Sequence, residues 1–200
     1  MDYQQILGDT QKVEIERIIT YLREELPYFW RDEYVTMTPR QTNIVLMEHG
    51  TFTYQYDFYS QLEVLGIVAR DDQKEDRLVA GLGMSARAVS AREVARMRGW
   101  IGPTEEFLGP DRDKGHVFAH SFGGLVDGLE INLFSQARSL NRGWSPQGKT
   151  YRRMERYCAT NPGTFCFSRP IYTDETSRPT TLEFGILLPT KELWVEQFQN

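Results

Sequence analysis

From Thr51 to Phe58 the chain alternates without a break. Phe52, Tyr54, Tyr56 and Phe58 fall on one side, and Thr51, Thr53, Gln55 and Asp57 fall on the other. A period of two is the period of a β-strand, so this segment predicts a half-buried strand whose aromatic stripe is core. Gln61 to Ala69 reads as a second strand, with Gly66 as a bulge. Tyr59-Ser60 is a connection short enough for a hairpin. Thr164 to Tyr172 and Thr180 to Leu188 predict two further strands, the first an edge or bulged strand because of Pro170.

Helical periodicity appears elsewhere. In residues 10–27, Val13, Ile18, Tyr21, Leu22 and Leu26 lie near one stripe, with Glu14, Arg17, Glu24 and Glu25 outside it and Asp9 or Thr10 as cap. A looser aromatic run, Tyr28-Phe29-Trp30, follows, and Asn43 to Met47 reads as extended. Ser90-Ala91-Arg92-Glu93 has the capping-box pattern and predicts a helix to about Arg98, ended by Gly99. Ile101 to Arg112 reads as a loop. Val117 and Phe118 continue a short strand from His116, and Gly123-Gly124 breaks it. Glu130 to Phe134 is short and apolar, Arg138 to Gly148 is a loop, and Lys149 to Ala159 is a helix. The expected organisation is α+β. Residues 1–45 form an N-terminal helical segment (an adaptor, an oligomerisation element or part of the fold), and 46–200 form the main domain.

Composition excludes several classes. No run approaches the roughly 18 apolar residues of a membrane span, and the N-terminus lacks a basic and apolar leader. The expected setting is the cytoplasm, or secretion without a classical signal peptide. Cys158 and Cys166 are the only cysteines. They read as two buried free thiols, with a disulfide as the alternative outside the cytoplasm. The net charge of −5 argues weakly against a polyanion partner. Its distribution argues the other way. Between Ser135 and Tyr157 the cations Arg138, Arg142, Lys149, Arg152, Arg153 and Arg156 meet one anion, Glu155. Local field, more than net charge, governs polyanion binding. A solvated helix face is the bland alternative.

Within that basic stretch and just before it lie the groups for phosphodiester hydrolysis. This chemistry needs an activated water, charge neutralisation and help for the leaving oxygen. His116 is the candidate base, since a neutral imidazole accepts a proton near pH 7. By itself a lone histidine is more often structural. Asn141 offers a neutral carbonyl to Mg²⁺, which keeps most of its water and takes few protein oxygens. An asparagine before Arg-Gly is also an ordinary turn residue. Glu155 could hold the ion's water shell, or simply pair with Arg152 one turn away.

Asp113-Lys114-Gly115-His116 resembles the Asp-Arg-Gly-His motif of the DNA/RNA non-specific endonucleases, the His-Me finger group with a ββα-metal fold. Phe122-Gly123-Gly124, Asn132-Leu133-Phe134-Ser135-Gln136, Leu140-Asn141-Arg142-Gly143 and Tyr151-Arg152-Arg153-Met154-Glu155 follow in that family's order. Thr51 to Val68 resembles the strand pair upstream in its toxin-type members, so the resemblance covers roughly residues 50–190. It implies a ββα-metal core on an antiparallel sheet and a Mg²⁺-dependent endonuclease, with Mn²⁺ as the other metal. DNA and RNA would be substrates, cut with little base specificity to leave 5′-phosphates. It also implies a bacterial toxin or effector with a cognate immunity protein.

Carried over, His116 is the general base, Asn141 the direct metal ligand and Glu155 a holder of metal-bound water. Asn132 and Gln136 are supports of the site. Lys114, His120, Arg138 and Arg142 are expected to contact substrate. The transition-state arginine is open among Arg87, Arg138 and Arg152, and Arg152 counts among the expected catalytic groups. Lys114 replaces the usual arginine and loses a bidentate fork. Ser135 stands where many members carry proline. A different class of function also stays open: an inactive nucleic-acid or protein interaction module on the same scaffold.

Overall fold

The computed structural model describes residues 3–8, 12–71, 74–88, 110–124 and 130–200. Five helices are described: α1 (Tyr3–Leu7), α2 (Ile15–Met37), α3 (Tyr59–Val64), α4 (Arg138–Asn141) and α5 (Pro146–Thr160). Eight strands are described: β1 (Ile44–His49), β2 (Phe52–Asp57), β3 (Arg77–Met84), β4 (Arg112–His116), β5 (Leu133–Ala137), β6 (Phe165–Ile171), β7 (Thr181–Leu187) and β8 (Leu193–Gln199). Six strands form one antiparallel sheet in the order β1-β2-β3-β6-β7-β8, and β4 and β5 form a separate two-stranded ribbon. The helix expected at Ser90–Arg98 and most of the loop expected from Ile101 lie outside the described residues.

Helix α2 starts at Ile15 and continues ten residues past Pro27, where the sequence pattern had it ending. A proline inside a helix costs about 3 kcal/mol. Ile18, Leu22, Leu26 and Trp30 are all buried against Ala80, Leu82, Phe165 and Phe167 of the sheet. Four such side chains, at roughly 1.5–3 kcal/mol each, outweigh the proline. Gln55 Nε2 donates to the Pro27 carbonyl at 2.7 Å. Strand β2 is therefore covered on both faces and is not half-buried: Phe52 and Tyr54 pack on one side, Gln55 and Asp57 are buried on the other.

The segment read as a second strand, Gln61–Ala69, begins as helix α3. Tyr59 and Leu62, three residues apart, are its buried pair, a helical spacing that the apolar run concealed. Gly66, at φ 68°, lies in the turn after α3 and forms no bulge. The partners of β2 are β1, across the turn at Gly50 (φ 64°), and β3. Strands β6 and β7 fall where the sequence places them. Pro170 pairs with β7 beyond the last residue of β6 that pairs with β3, so its missing N–H interrupts no ladder there. Among the described residues no helix is long and apolar enough to cross a membrane.

The second face of the sheet carries the β4–β5 ribbon, α4 and α5. Phe122, Phe134, Leu140, Tyr151, Met154 and Cys158 share a core with Leu182, Phe184, Ile186 and Phe198. Cys158 and Cys166 are both buried and both free. Strand β4 ends at His116, and the expected continuation through Val117 and Phe118 is a bend. Both residues are fully buried, and Phe118 stacks on Phe52 at 4.0 Å between centroids. The sheet makes room for that ring at Gly81, where a Cβ would lie 2.8 Å from Phe118. The expected loop Arg138–Gly148 contains the helical turn α4 and the start of α5. Ser145 caps α5 by accepting from Gly148 N at 2.9 Å, and Pro146 occupies its first turn.

Candidate active site

Strand β4 presents Asp113, Lys114, Gly115 and His116 along one ribbon edge, paired with Gln136, Ser135, Phe134 and Leu133 of β5. Gly115 is required by its diagonal neighbour on β5: a Cβ there would lie 2.4 Å from Cβ of Gln136. Asn132, 1% exposed, fixes the chain just beyond His116. Its Oδ1 accepts from Phe118 N at 2.9 Å and from the Tyr54 hydroxyl at 3.1 Å, and its Nδ2 donates to the Phe118 carbonyl at 3.0 Å. Gln136, also 1% exposed, packs over Gly115 and supports the ribbon from below.

Asp113 is the centre of the polar network, although the sequence offered it only as the first letter of a motif. Arg142 donates to it twice, Nε to Oδ2 at 2.8 Å and Nη2 to Oδ1 at 3.0 Å. Arg138 Nε donates to Oδ1 at 3.2 Å, and Asn141 Nδ2 donates to Oδ2 at 3.1 Å. Burial pushes the carboxyl of Asp113 up, but the hydrogen bonds from Arg142, Asn141 and Arg138 outweigh it and hold the group below the usual aspartate range. An ionised carboxylate only accepts, so it fixes which end of the Asn141 amide faces it. The nitrogen is committed to Asp113, and the oxygen is the end left to offer to a cation.

Lys114, His116, Ala119, His120, Ser121, Asn141, Arg142, Arg152 and Glu155 line one cleft of about 420 Å³. The sequence separates these residues by up to 41 positions, and the ribbon and two helices bring them together. Glu155 projects from α5 and is 7% exposed. Burial lifts its carboxyl to about 7, against the charge and hydrogen bond of Arg152, whose Nη1 donates to Oε2 at 3.1 Å. The ion pair foreseen as the bland role of Glu155 is thus present. Of the three candidate transition-state arginines, Arg152 lines the cleft. Arg138 is engaged by Asp113 and, at 3.8 Å, by Asp111, and Arg87 is exposed just past β3. Arg142 lines the cleft while holding Asp113.

A second groove of about 320 Å³ adjoins this cleft through Arg142 and Arg152, and its other walls are Gly143, Lys149, Arg153 and Arg156. Its side chains are cationic without exception. Together the two concavities make a positive track across α5.

Among the described residues no three His, Cys, Asp or Glu side chains gather closely enough to enclose a metal. Beside His116 and His120, the cleft offers one amide oxygen and one buried carboxylate, oxygen donors that would suit a cation keeping most of its own water.

No family model matches this chain, and no curated protein matches it. Among solved structures, an extracellular endonuclease is similar over 81% of this chain and 71% of its own, with 17% identity and a TM-score of 0.34.

Proposed function

We propose that this chain is a metal-dependent endonuclease with a ββα-metal centre, hydrolysing phosphodiester bonds in DNA, and in RNA as a second substrate, with little sequence preference. One observation carries the reading. A histidine at a strand end, an asparagine oriented by a buried aspartate and a buried glutamate titrating near neutrality line a single cleft with lysine and arginine. Perturbed acids in a cationic cleft are the mark of acid–base chemistry on an anion.

His116 accepts the proton of the attacking water. Asn141 Oδ1 would be the neutral ligand for Mg²⁺ or Mn²⁺, and Glu155 would accept hydrogen bonds from its hydration shell. Such an ion would supply positive charge beside the scissile phosphate. Lys114 and Arg152 add to that field, and Arg152 also opposes, through their ion pair, the burial that raises the Glu155 carboxyl. Contacts of this kind read the backbone and leave base identity unread.

The test is digestion of plasmid DNA and total RNA with Mg²⁺, with EDTA, and by a folded His116→Ala protein. Cleavage should vanish in the last two. Retained cleavage by His116→Ala removes His116 as the base. The Arg152–Glu155 pair also suits an interaction module on this scaffold. Such a module would bind nucleic acid in EDTA and never cut it, in Mg²⁺ or in Mn²⁺.

A further inference from the structure

Trp144 is 64% exposed. It sits in the short link between α4 and α5, directly after Gly143, which lines the cationic groove, and two residues after Arg142, which lines both the groove and the cleft. The link is rigidly built. Gly143 adopts φ 71°, Trp144 N donates to the Ser139 carbonyl at 2.9 Å, and Ser145 caps α5. Gly148 packs so tightly beneath it that a Cβ would lie 2.5 Å from the Ser139 carbonyl oxygen. The indole is therefore held out into solvent by fixed backbone.

The guanidinium of Arg142 lies over the Trp144 ring, 5.1 Å from its centroid, and is itself clamped by Asp113 through two hydrogen bonds. The ring is backed by a cation on that side and exposed over most of its surface. Cation-backed aromatic rings beside a positive groove are the components with which proteins hold unpaired bases. In a duplex the base faces are already stacked on one another, so only an unpaired nucleotide can offer one to an indole.

We propose that Trp144 is a stacking platform for an unpaired base, and that the chain accordingly prefers single-stranded nucleic acid. The adjoining phosphates would lie along Lys149, Arg152, Arg153 and Arg156. The inference rests on the nuclease reading for its catalytic consequence, while the binding consequence stands without it.

The experiment measures binding of a labelled twelve-nucleotide oligothymidylate, and of its duplex with oligoadenylate, in EDTA. The proteins are wild type, Trp144→Ala and Trp144→Phe. In Mg²⁺ the same set gives the ratio of kcat/KM on single strand to that on duplex. Because Trp144 is exposed, both variants should match the wild type in circular dichroism and in Tm. Wild type should bind the single strand more tightly. Trp144→Ala should lose about tenfold to a hundredfold of that affinity, and its kcat/KM ratio should fall in parallel. Trp144→Phe, which keeps an aromatic face, should recover most of both.

Equal affinity of wild type and Trp144→Ala for the single strand overturns the proposal, as does an equal loss on single strand and duplex. So does a wild type that binds neither probe, the result expected if the indole serves a protein partner. A wild type that cuts nothing in Mg²⁺ but shows the Trp144 effect on binding defeats the nuclease reading and leaves the platform standing.

Discussion

Asp113 shows how much one buried residue can organise. It holds Asn141, Arg138 and Arg142 at once, and so orients the candidate metal ligand while pairing with two arginines expected on substrate. Removing its charge should release all three. Asp113→Asn is expected to lower activity about tenfold to a hundredfold, the usual cost of losing a group that orients a metal ligand. The loss should appear as a higher Mg²⁺ requirement in a titration of rate against metal. A fall in maximal rate at an unchanged Mg²⁺ midpoint would show that Asp113 acts on something other than Asn141. Glu155 makes a second prediction at this scale. Burial raises its carboxyl from 4.5 to about 7, so the folded protein keeps a proton that the unfolded chain releases earlier. The contribution is fully present below pH 4.5 and is lost as pH rises through 7, a swing of roughly 3 kcal/mol. Urea titrations in EDTA at pH 5 and pH 8 should show this slope in wild type and a flatter one in Glu155→Gln. Asp113, Glu155 and His116 were all visible as residues in the sequence. The dominant role of Asp113 was not, because three donors from another element converge on it only in space. Trp144 passed unnoticed although a tryptophan between Gly143 and Ser145-Pro146, in an otherwise polar turn, is itself a signal.

At the scale of elements, α5 was legible from the helical spacing of Met154 and Cys158, β6 from its aromatic-rich run, and β7 from the alternation of Leu182, Phe184 and Ile186. Strands β3 and β8 were not predicted. Strand β3 is buried along nearly its whole length, and a fully buried strand shows no alternation to read. Helix α3 reads as a strand from the sequence because six residues are too few to display a helical period. The junction of α4 and α5 places Asn141, Arg142 and Trp144 together, and its closeness depends on Gly148. Replacing a helix-interior glycine by alanine ordinarily stabilises by up to about 1 kcal/mol. Here the new Cβ would meet the Ser139 and Leu140 carbonyl oxygens at 2.5 Å and 3.0 Å, so the sign should reverse. Gly148→Ala is expected to destabilise by about 1–3 kcal/mol, as overpacking does, and to lower activity with it. Chemical denaturation and initial rates check this together, and a stabilised Gly148→Ala protein would show that the junction yields easily.

At the scale of the whole molecule, the described residues form a three-layer stack: α2 on one face of the six-stranded sheet, the ribbon with α4 and α5 on the other. The two faces communicate through the strands they share, since Phe165 and Phe167 point to α2 while Cys166 between them joins the opposite core. Leu22, fully buried under α2, lies in the layer remote from the cleft. Leu22→Ala should cost about 2–5 kcal/mol of stability while leaving the kcat of the folded fraction unchanged. Denaturation midpoints and rates normalised to folded protein separate the two effects, and a proportional loss of kcat would mean that the layers are coupled. The α+β class and the order of the site residues were settled by the sequence itself, because strand and helix periods are local and the basic stretch is continuous. The tertiary structure decided that helix α2 runs through Pro27, that β2 is covered twice, that Asp113 gathers Asn141 and Arg142, and that Glu155 titrates near neutrality. Each of these is a balance between burial or charge and a local preference, and the burial and the charges are supplied by residues distant in the chain.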